Sequence, residues 1–207
     1  MVELHTHSRY SDGTFTPEEV IMKAIENDLY ALAITDHNHL LSEEQFTALQ
    51  KTFPEITLIQ GCEIDCRYET IRGNLIDLHL IALGFNPNTL QPFVSDLKRD
   101  RAAYLNEILT QLDALGVHLN TSLEDLQRRY GSANPGRMQL AQFMVDFGYV
   151  DSIDEAFDEY FGSYGKRRVI CNPLDFSTYK PLKETVEAVY KSGGIPVIAH
   201  LLSYKMT

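Results

Sequence analysis

The feature that most constrains the fold is an uninterrupted, mostly apolar segment, residues 30–35, between two segments with clear helix-start signals. An apolar run of this length is typical of a strand buried on both faces of a parallel sheet. The helix before it begins at Thr16, with Pro17 at its first position and Glu19 completing a capping box. The helix after it begins at Ser42 with a similar signal. This order predicts βα units and therefore an α/β fold.

The same alternation continues along the chain. We predict further strands over residues 2–7, 56–60, 75–83 and 195–199, and we expect the third strand to run into Glu63. Because helices separate most of these strands, the sheet is predicted to be parallel and closed, or partly closed, into a barrel.

A long stretch without strand pattern interrupts this order. Helical spacing there predicts an all-helical insertion that contains one long helix over residues 91–115. The expected division is a barrel part over 1–85, an insertion over 86–161 and a continued, incomplete barrel part over 162–207.

Composition limits the class of protein. A length of 207 residues suits one domain that carries an insertion, and a formal net charge of −11 argues against a broad electrostatic surface for nucleic acid. No apolar run approaches the roughly 20 residues that cross a bilayer, and no secretion signal is recognisable, so we expect a cytoplasmic protein without a membrane partner. Three cysteines without a CxxC pair indicate reduced thiols.

The opening strand carries two histidines, His5 and His7, in an H-x-H pattern. Because side chains alternate along a strand, both imidazoles point to the same face, where a divalent metal would satisfy them. Asp12 follows in a turn that Gly13 allows, and it offers an anionic ligand. An isolated H-x-H is equally consistent with a solvated, histidine-rich strand.

Similar groups occur on other predicted strands. In α/β barrels the reactive groups gather at the carboxyl ends of the strands. The candidate ligands are His5, His7, Asp12, His37, Glu63, His79 and His200. Asp12 lies in a turn, and His79 fits the rule least well because it lies in the middle of its predicted strand. A site this rich in imidazole suits Zn, Mn or Fe, and so many ligands predict two or three ions. Clusters of this kind hydrolyse phosphoesters or amides. His39 reads as a loop residue and His118 as a surface residue.

Four motifs resemble those of the polymerase and histidinol phosphatase (PHP) domain family. They read L-H-T-H-S-x-x-S-D-G, I-T-D-H, G-C-E-I and G-G-I-P-V-I-A-H, and they occur in the family's order. The similarity is strongest to the metal-dependent phosphoesterases that include nucleoside 3',5'-bisphosphate phosphatases and 5'-to-3' exoribonucleases. It implies a distorted TIM-like (β/α)7 barrel with a helical insertion.

The resemblance also implies roles for individual residues. One ion would be held by His5, His7 and Glu63, a second by Glu63, His79 and His200, and a third by Asp12 and His37. Arg137 would contact a substrate phosphate, although an arginine at a helix N-terminus is equally consistent with a surface residue. Separately from the resemblance, the basic residues 166–168 are candidates for the entrance of the site, or form a solvated surface. The implied reaction is hydrolysis of phosphate monoesters of nucleotides or short RNA by a hydroxide that two to three divalent ions (Mn, Fe or Zn) activate.

The chain departs from the family pattern in three places. Gln139 replaces a histidine, Leu201 replaces a proline, and no Asp-x-His follows before Thr207. The last part of the barrel is therefore expected to be missing: either the chain is a piece of a longer protein, or its site is incomplete. A second copy of the chain could cover the open edge. These departures also leave a second hypothesis open, a degenerate module that binds metal, nucleotide or a partner without turnover. A third hypothesis, hydrolysis of a C–N bond, lacks the lysine expected for it.

Overall fold

The computed structural model describes residues 1–132, 135–161, 167, 169 and 171–204. Five strands form one mixed sheet that makes half of a barrel, and α-helices pack against it. This confirms the predicted α/β class and the incomplete TIM-like barrel. The strands are β1 (Val2–Thr6), β2 (Ala31–Ile34), β3 (Thr57–Glu69), β4 (Leu75–Leu83) and β5 (Ile195–Ile198). The α-helices are α1 (Pro17–Glu26), α2 (Glu43–Thr52), α3 (Pro87–Ser95), α4 (Arg101–Ala114), α5 (Leu123–Tyr130), α6 (Arg137–Asp146), α7 (Ile153–Ala156) and α8 (Leu182–Lys191).

The start signals of the first two helices work as predicted. The Thr16 hydroxyl accepts a hydrogen bond from the backbone N–H of Glu19, whose carboxylate accepts one from the N–H of Thr16. Ser42 and Gln45 make the equivalent pair at the start of α2. Such boxes satisfy N–H groups that a helix leaves unpaired at its first turn, and they fix where the chain leaves each strand.

The prediction of a parallel sheet is wrong for its second half. The strand order is β1-β2-β3-β4-β5; β1, β2 and β3 are parallel, whereas β4 runs antiparallel to both β3 and β5. Only residues 70–74 connect β3 to β4. A parallel crossover needs a connection of about a dozen residues or more, so this short loop can close only an antiparallel hairpin.

We predicted that the third strand ends near Glu63, and this prediction is wrong. β3 continues to Glu69, pairing with β4 along the way, so that Glu63 and His79 both lie in the middle of strands. Side chains therefore reach the cleft by alternation rather than from strand ends. Glu63 and Asp65 point to one face of β3, while Cys62, Ile64 and Cys66 face a hydrophobic core on the other.

The predicted long helix over residues 91–115 is two helices. α3 ends at Ser95, and α4 begins after Asp100, whose carboxylate accepts from the backbone N–H of Ala103. Between them the chain turns inward, and the guanidinium of Arg99 meets Asp65 and Asp77. Because an unpaired charge is costly in a largely buried position, Arg99 is paired with both carboxylates, and the turn that brings it to them separates the two helices.

Three hydrophobic clusters lie around the sheet. One packs α1 and α2 against β2, and a second joins β3, β4, α3 and α8. The third holds α4 to α7 together and contains the fully buried Leu112, Leu126 and Leu140. Helix α3 thus packs with the barrel, although the predicted division places it in the insertion. The division at 85/86 and 161/162 stays a prediction.

Candidate metal centre

One buried carboxylate, that of Glu63, lies at the centre of the cleft with only 1% of the residue exposed. Five imidazoles surround it. Its Oε2 lies 3.1 Å from Nε2 of His5, 3.1 Å from Nε2 of His7 and 3.5 Å from Nε2 of His37. Its Oε1 lies 2.9 Å from Nδ1 of His79 and 3.1 Å from Nε2 of His200. Residues from all five strand regions therefore meet at one acid.

The charges of this cluster depend on each other. Burial by itself would raise the pKa of Glu63, but hydrogen bonds from His200, His5, His7 and His79 hold that pKa far below its ordinary value. Burial would lower the pKa of His79, but Asp65 first and then Asp77 and Glu63 raise it well above its ordinary value. Without a metal, the buried carboxylates therefore favour the protonated forms of His37 and His79.

The donor set fits divalent ions. Ligand atoms of His5, His7 and Glu63 lie within 4.8 Å of one another, as do those of Glu63, His79 and His200 and those of His7, Asp12 and His37. Atoms that share a tetrahedral ion at about 2.0–2.1 Å lie roughly 3.3 Å apart, close to the distances around Glu63. Imidazole nitrogen combined with carboxylate oxygen is a donor set that Zn, Mn or Fe accepts.

Asp12 reaches the cluster from the loop after β1. Its Oδ1 lies 3.4 Å from Nδ1 of His7, and its Oδ2 lies 3.8 Å from Nε2 of His37. The loop folds back so tightly that a Cβ on Gly13 would lie 2.3 Å from the carbonyl oxygen of His7. Only glycine fits there, which explains why Gly13 follows Asp12.

The helical insertion holds this loop in place. Gln139 of α6 donates a 2.8 Å hydrogen bond from Nε2 to the carbonyl oxygen of Asp12, and its Oε1 accepts from the N–H of Gly136. The hydroxyl of Ser132 donates to the carbonyl oxygen of Ser11. Gln139, which departs from the family's histidine, therefore positions the Asp12 loop from a buried site.

Two acids that the sequence analysis did not predict contact ring nitrogens of His37 and His79. Oδ1 of Asp65 lies 2.9 Å from Nδ1 of His37, and Asp77 lies 3.7 Å from Nε2 of His79. Arg99 bridges both acids. A signal for them was present, because each acid lies two residues from a predicted ligand on the same strand, Asp65 after Glu63 and Asp77 before His79. Same-face alternation would have placed all four together.

A cleft of about 140 Å³ opens beside the cluster. The predicted ligands Asp12, His37 and His79 line it on one side, and Arg101 and Arg137 lie among its other lining residues. Nη1 of Arg137 donates to the carbonyl oxygen of Phe161 at 3.3 Å. A third arginine, Arg99, also lines the cleft, where it is paired with Asp65 and Asp77. An anion in this cleft would lie next to the metal ligands and to the guanidinium groups of Arg101 and Arg137.

The remaining sequence predictions have different outcomes. His118 is on the surface of the insertion, paired with Asp113, as expected. His39 stacks on Tyr10 outside the cluster, as expected for a residue left out of the site. Arg167 is exposed, whereas Lys166 and Arg168, which complete the predicted basic entrance, lie outside the described residues. Among the helices that the structure describes, none has the length and apolar character to span a membrane.

Known proteins are similar to this chain in sequence and in fold. The chain is 28% identical to a 5'-3' exoribonuclease of Haemophilus influenzae over 99% of its own length and 70% of the relative's. It is 27% identical to a 3',5'-nucleoside bisphosphate phosphatase of Chromobacterium violaceum over 99% of its length and 68% of the relative's. A solved amidohydrolase structure from Chromobacterium violaceum, with bound sulfate and no metal, superposes with a TM-score of 0.75 at 25% identity, covering 100% of this chain and 69% of that one. The PHP domain model matches residues 3–172, and the chain belongs to the PHP domain family.

Proposed function

We propose that this chain is a metal-dependent phosphoesterase that hydrolyses phosphate monoesters of nucleotides or short oligonucleotides. The observation that carries the proposal is the arrangement of five imidazoles within 3.5 Å of the Glu63 carboxylate. His5, His7 and Glu63 would hold one ion, Glu63, His79 and His200 a second, and Asp12 with His37 a third. We propose Mn, Fe or Zn as the metal, since these accept both imidazole and carboxylate.

Each part of the cleft has its own task in this proposal. When bound, divalent ions supply activated water and neutralise charge that develops on phosphate oxygens. Glu63 keeps its negative charge because the imidazoles hold its pKa low, so it is available to ligands at any physiological pH. Asp65 and Asp77 hold the outer sides of His37 and His79, which limits rotation of both rings.

The substrate class is proposed from the cleft and from the relatives. Arg137 carries a planar guanidinium, which matches phosphate oxygens in two parallel hydrogen bonds, and Arg101 lines the same cleft. The two relatives are named for acting on a nucleoside bisphosphate and on RNA from its 5' end. Both names describe phosphorylated nucleotides, which supports a nucleotide or a short RNA as substrate.

The test combines metal analysis with activity. The chain is stripped with a chelator, reloaded with Mn²⁺, Fe²⁺ or Zn²⁺, and assayed with p-nitrophenyl phosphate, a 3',5'-bisphosphonucleotide and a short 5'-phosphorylated RNA. We expect phosphate or nucleotide release that depends on metal and that Glu63→Gln abolishes, while His118→Ala on the insertion surface keeps full activity. A metal-loaded protein inert to every phosphoester would overturn the proposal.

Two further outcomes address the other hypotheses. Metal-dependent nucleotide binding without release would favour a non-catalytic module. Release of ammonia or amine from an amide substrate would favour C–N hydrolysis. The structural neighbour from Chromobacterium violaceum is named an amidohydrolase, which is consistent with this alternative. Among the described residues that line the cleft, the cationic side chains are arginines, and the lysine expected for amide chemistry is not one of them.

The predicted homo-oligomer is likewise a proposal. Strand β5 pairs with β4 on one side, and its Ile195 and Val197 are 65% and 46% exposed. Apolar edge strands of this kind are commonly covered by a partner. Static light scattering should give the mass of a dimer or higher oligomer, and a monomeric mass at micromolar concentration would contradict the idea.

A further inference from the structure

Asp36 is a buried acid that the proposed function does not use. It lies directly before His37 with 2% of the residue exposed, and it accepts three hydrogen bonds. Its Oδ1 accepts from the backbone N–H of Ser8 at 2.7 Å and from the hydroxyl of Ser11 at 2.6 Å. Its Oδ2 accepts from the hydroxyl of Ser8 at 2.6 Å. A carboxylate so fully satisfied holds both serine hydroxyls in fixed directions.

The direction of the Ser11 hydroxyl determines what Ser11 can offer to its other neighbours. A hydroxyl has one hydrogen, and the short contact to the Asp36 carboxylate takes it. The Asp12 carboxylate is a poorer acceptor for that hydrogen, because its Oδ1 is 3.4 Å away. Toward Nδ1 of His7, at 3.2 Å, the oxygen of Ser11 can therefore only accept.

This fixes the tautomer of His7. Nδ1 must carry the hydrogen, since both oxygens near it, those of Ser11 and Asp12, act as acceptors. The lone pair of neutral His7 is then on Nε2, which lies 3.1 Å from Oε2 of Glu63 at the centre of the cluster. Of these two acceptors, Asp12 is itself a predicted metal ligand, whereas Ser11 is not.

We propose that Ser11, oriented by Asp36, is a positioning residue that keeps His7 in the tautomer whose Nε2 can bind a divalent ion. The inference rests on the proposed metal centre. Outer partners of metal-bound histidines fix both tautomer and ring orientation, and losing one weakens metal binding by about 10–100-fold. Asp36 acts through Ser11 and does not contact His7 in this scheme.

Ser8 provides a matched control. Like Ser11 it is fully buried, and its hydroxyl also donates to Asp36 at 2.6 Å. Its other hydroxyl contact is with the backbone N–H of Tyr10, not with a histidine. Ser8→Ala and Ser11→Ala therefore remove equivalent bonds to Asp36, and only Ser11→Ala also removes the nearer of the two acceptors for Nδ1 of His7.

The experiment measures the dissociation constant for Zn²⁺ by chelator competition in wild type, Ser11→Ala and Ser8→Ala, with thermal unfolding in chelator as a check of folding. We expect Ser11→Ala to raise this constant about 10–100-fold and to raise the metal concentration for half-maximal phosphoester hydrolysis equally. Its kcat at saturating metal should stay within about twofold of wild type, because the occupied site is restored. Ser8→Ala should keep the wild-type constant.

A second measurement does not depend on any variant. The imidazole ¹⁵N shifts of His7 in Zn²⁺-loaded wild type should show a protonated Nδ1 and a metal-bound Nε2. Metal bound through Nδ1, an unchanged constant in Ser11→Ala, or an equal loss in Ser8→Ala would overturn the inference and leave the proposed function standing. A wild-type protein that binds no divalent ion would overturn both.

Discussion

Nδ1 of His37 donates a hydrogen bond to Oδ1 of Asp65 at 2.9 Å, and this contact turns Nε2 of His37 toward the cleft. Asp65 is almost wholly buried and also accepts from the hydroxyl of Tyr179 at 2.6 Å. It therefore joins the proposed metal centre to the helix–strand region that follows the insertion.

The first prediction concerns this contact. Asp65→Ala should weaken metal binding by about 10–100-fold, because His37 loses the partner that fixes its ring. It should also destabilise the fold by about 3–5 kcal/mol, since Arg99 loses one of its two carboxylates in a largely buried position. Chelator competition and denaturant unfolding measure the two effects separately.

The chain contains a control with the same geometry. Asp113 contacts Nδ1 of His118, also at 2.9 Å, but both side chains are exposed on the insertion. Asp113→Ala should leave metal affinity unchanged and stability within about 0.5 kcal/mol of wild type. If Asp65→Ala binds metal as tightly as Asp113→Ala does, His37 does not depend on Asp65.

The second prediction is a stability optimum for the metal-free protein. The folded pKa values of His37 and His79 lie above the ordinary 6.5, so their contribution is complete below that pH and is lost as pH rises through the raised values. The pKa of Glu63 lies below the ordinary 4.5, so its contribution is present above that pH and is lost as pH falls. We therefore expect the highest Tm between pH 4.5 and 6.5.

Metal should change this profile. A bound ion replaces the protons as the positive partner of Glu63, so adding Zn²⁺ should raise the Tm most on the alkaline side of the optimum. Calorimetry across a pH series, with and without the ion, measures the difference. A metal-free Tm that stays constant from pH 6.5 upward would contradict the assigned charges.

The sequence predicts the first half of this fold and most of the cluster for clear physical reasons. Thr16 and Ser42 act locally, so their capping boxes can be recognised without tertiary information. The histidines are recognisable because imidazole is rare and each one falls on a predicted strand or at its end. The family resemblance then supplies the grouping of these residues.

The failures come from contacts between distant residues. The break before Asp100 depends on Arg99 meeting Asp65 and Asp77, which no local pattern reveals. The antiparallel hairpin was missed because a third strand that ends near Glu63 leaves about a dozen residues before β4, enough for a crossover, and only the extension of β3 to Glu69 shortens the connection to residues 70–74. Asp36 was visible in the I-T-D-H motif, but its task depends on Ser8 and Ser11, more than twenty residues earlier in the chain.

The third prediction concerns the proposed phosphate contact. Arg137→Ala should lower kcat/KM for a bisphosphonucleotide about 10–100-fold, because hydrogen bonds between charged groups contribute about 1.5–3 kcal/mol. Arg137→Lys should recover part of the loss, since an ammonium keeps the charge without the planar fork. Steady-state kinetics at saturating metal measure the change.

Arg128 is the matched control for Arg137. It lies on the insertion, where it pairs with Asp125 in an exposed position. Arg128→Ala should leave both kcat/KM and metal content at wild-type values. Equal kinetics for the Arg137 and Arg128 variants would exclude Arg137 from substrate binding.

The fourth prediction tests the link between insertion and cleft. Gln139→Ala removes the donor to the carbonyl oxygen of Asp12, and leaving a buried acceptor unpaired costs about 1–3 kcal/mol. We expect lower stability and a higher metal concentration for half-maximal activity. Gln142→Ala, on the same helix, removes only an exposed contact with Asp146 and should change neither quantity. Unchanged metal dependence in Gln139→Ala would mean that the Asp12 loop holds its shape alone.

The alternation along β3 carries a consequence for folding fidelity. If β3 paired with its neighbours one residue out of register, Glu63 and Asp65 would point into the hydrophobic core that Cys62, Ile64 and Cys66 now fill. Placing two bare carboxylates among hydrocarbon is prohibitive, so the mispaired sheet is strongly disfavoured. The two acids of the proposed metal centre thereby also disfavour incorrect pairing of the strand that carries them.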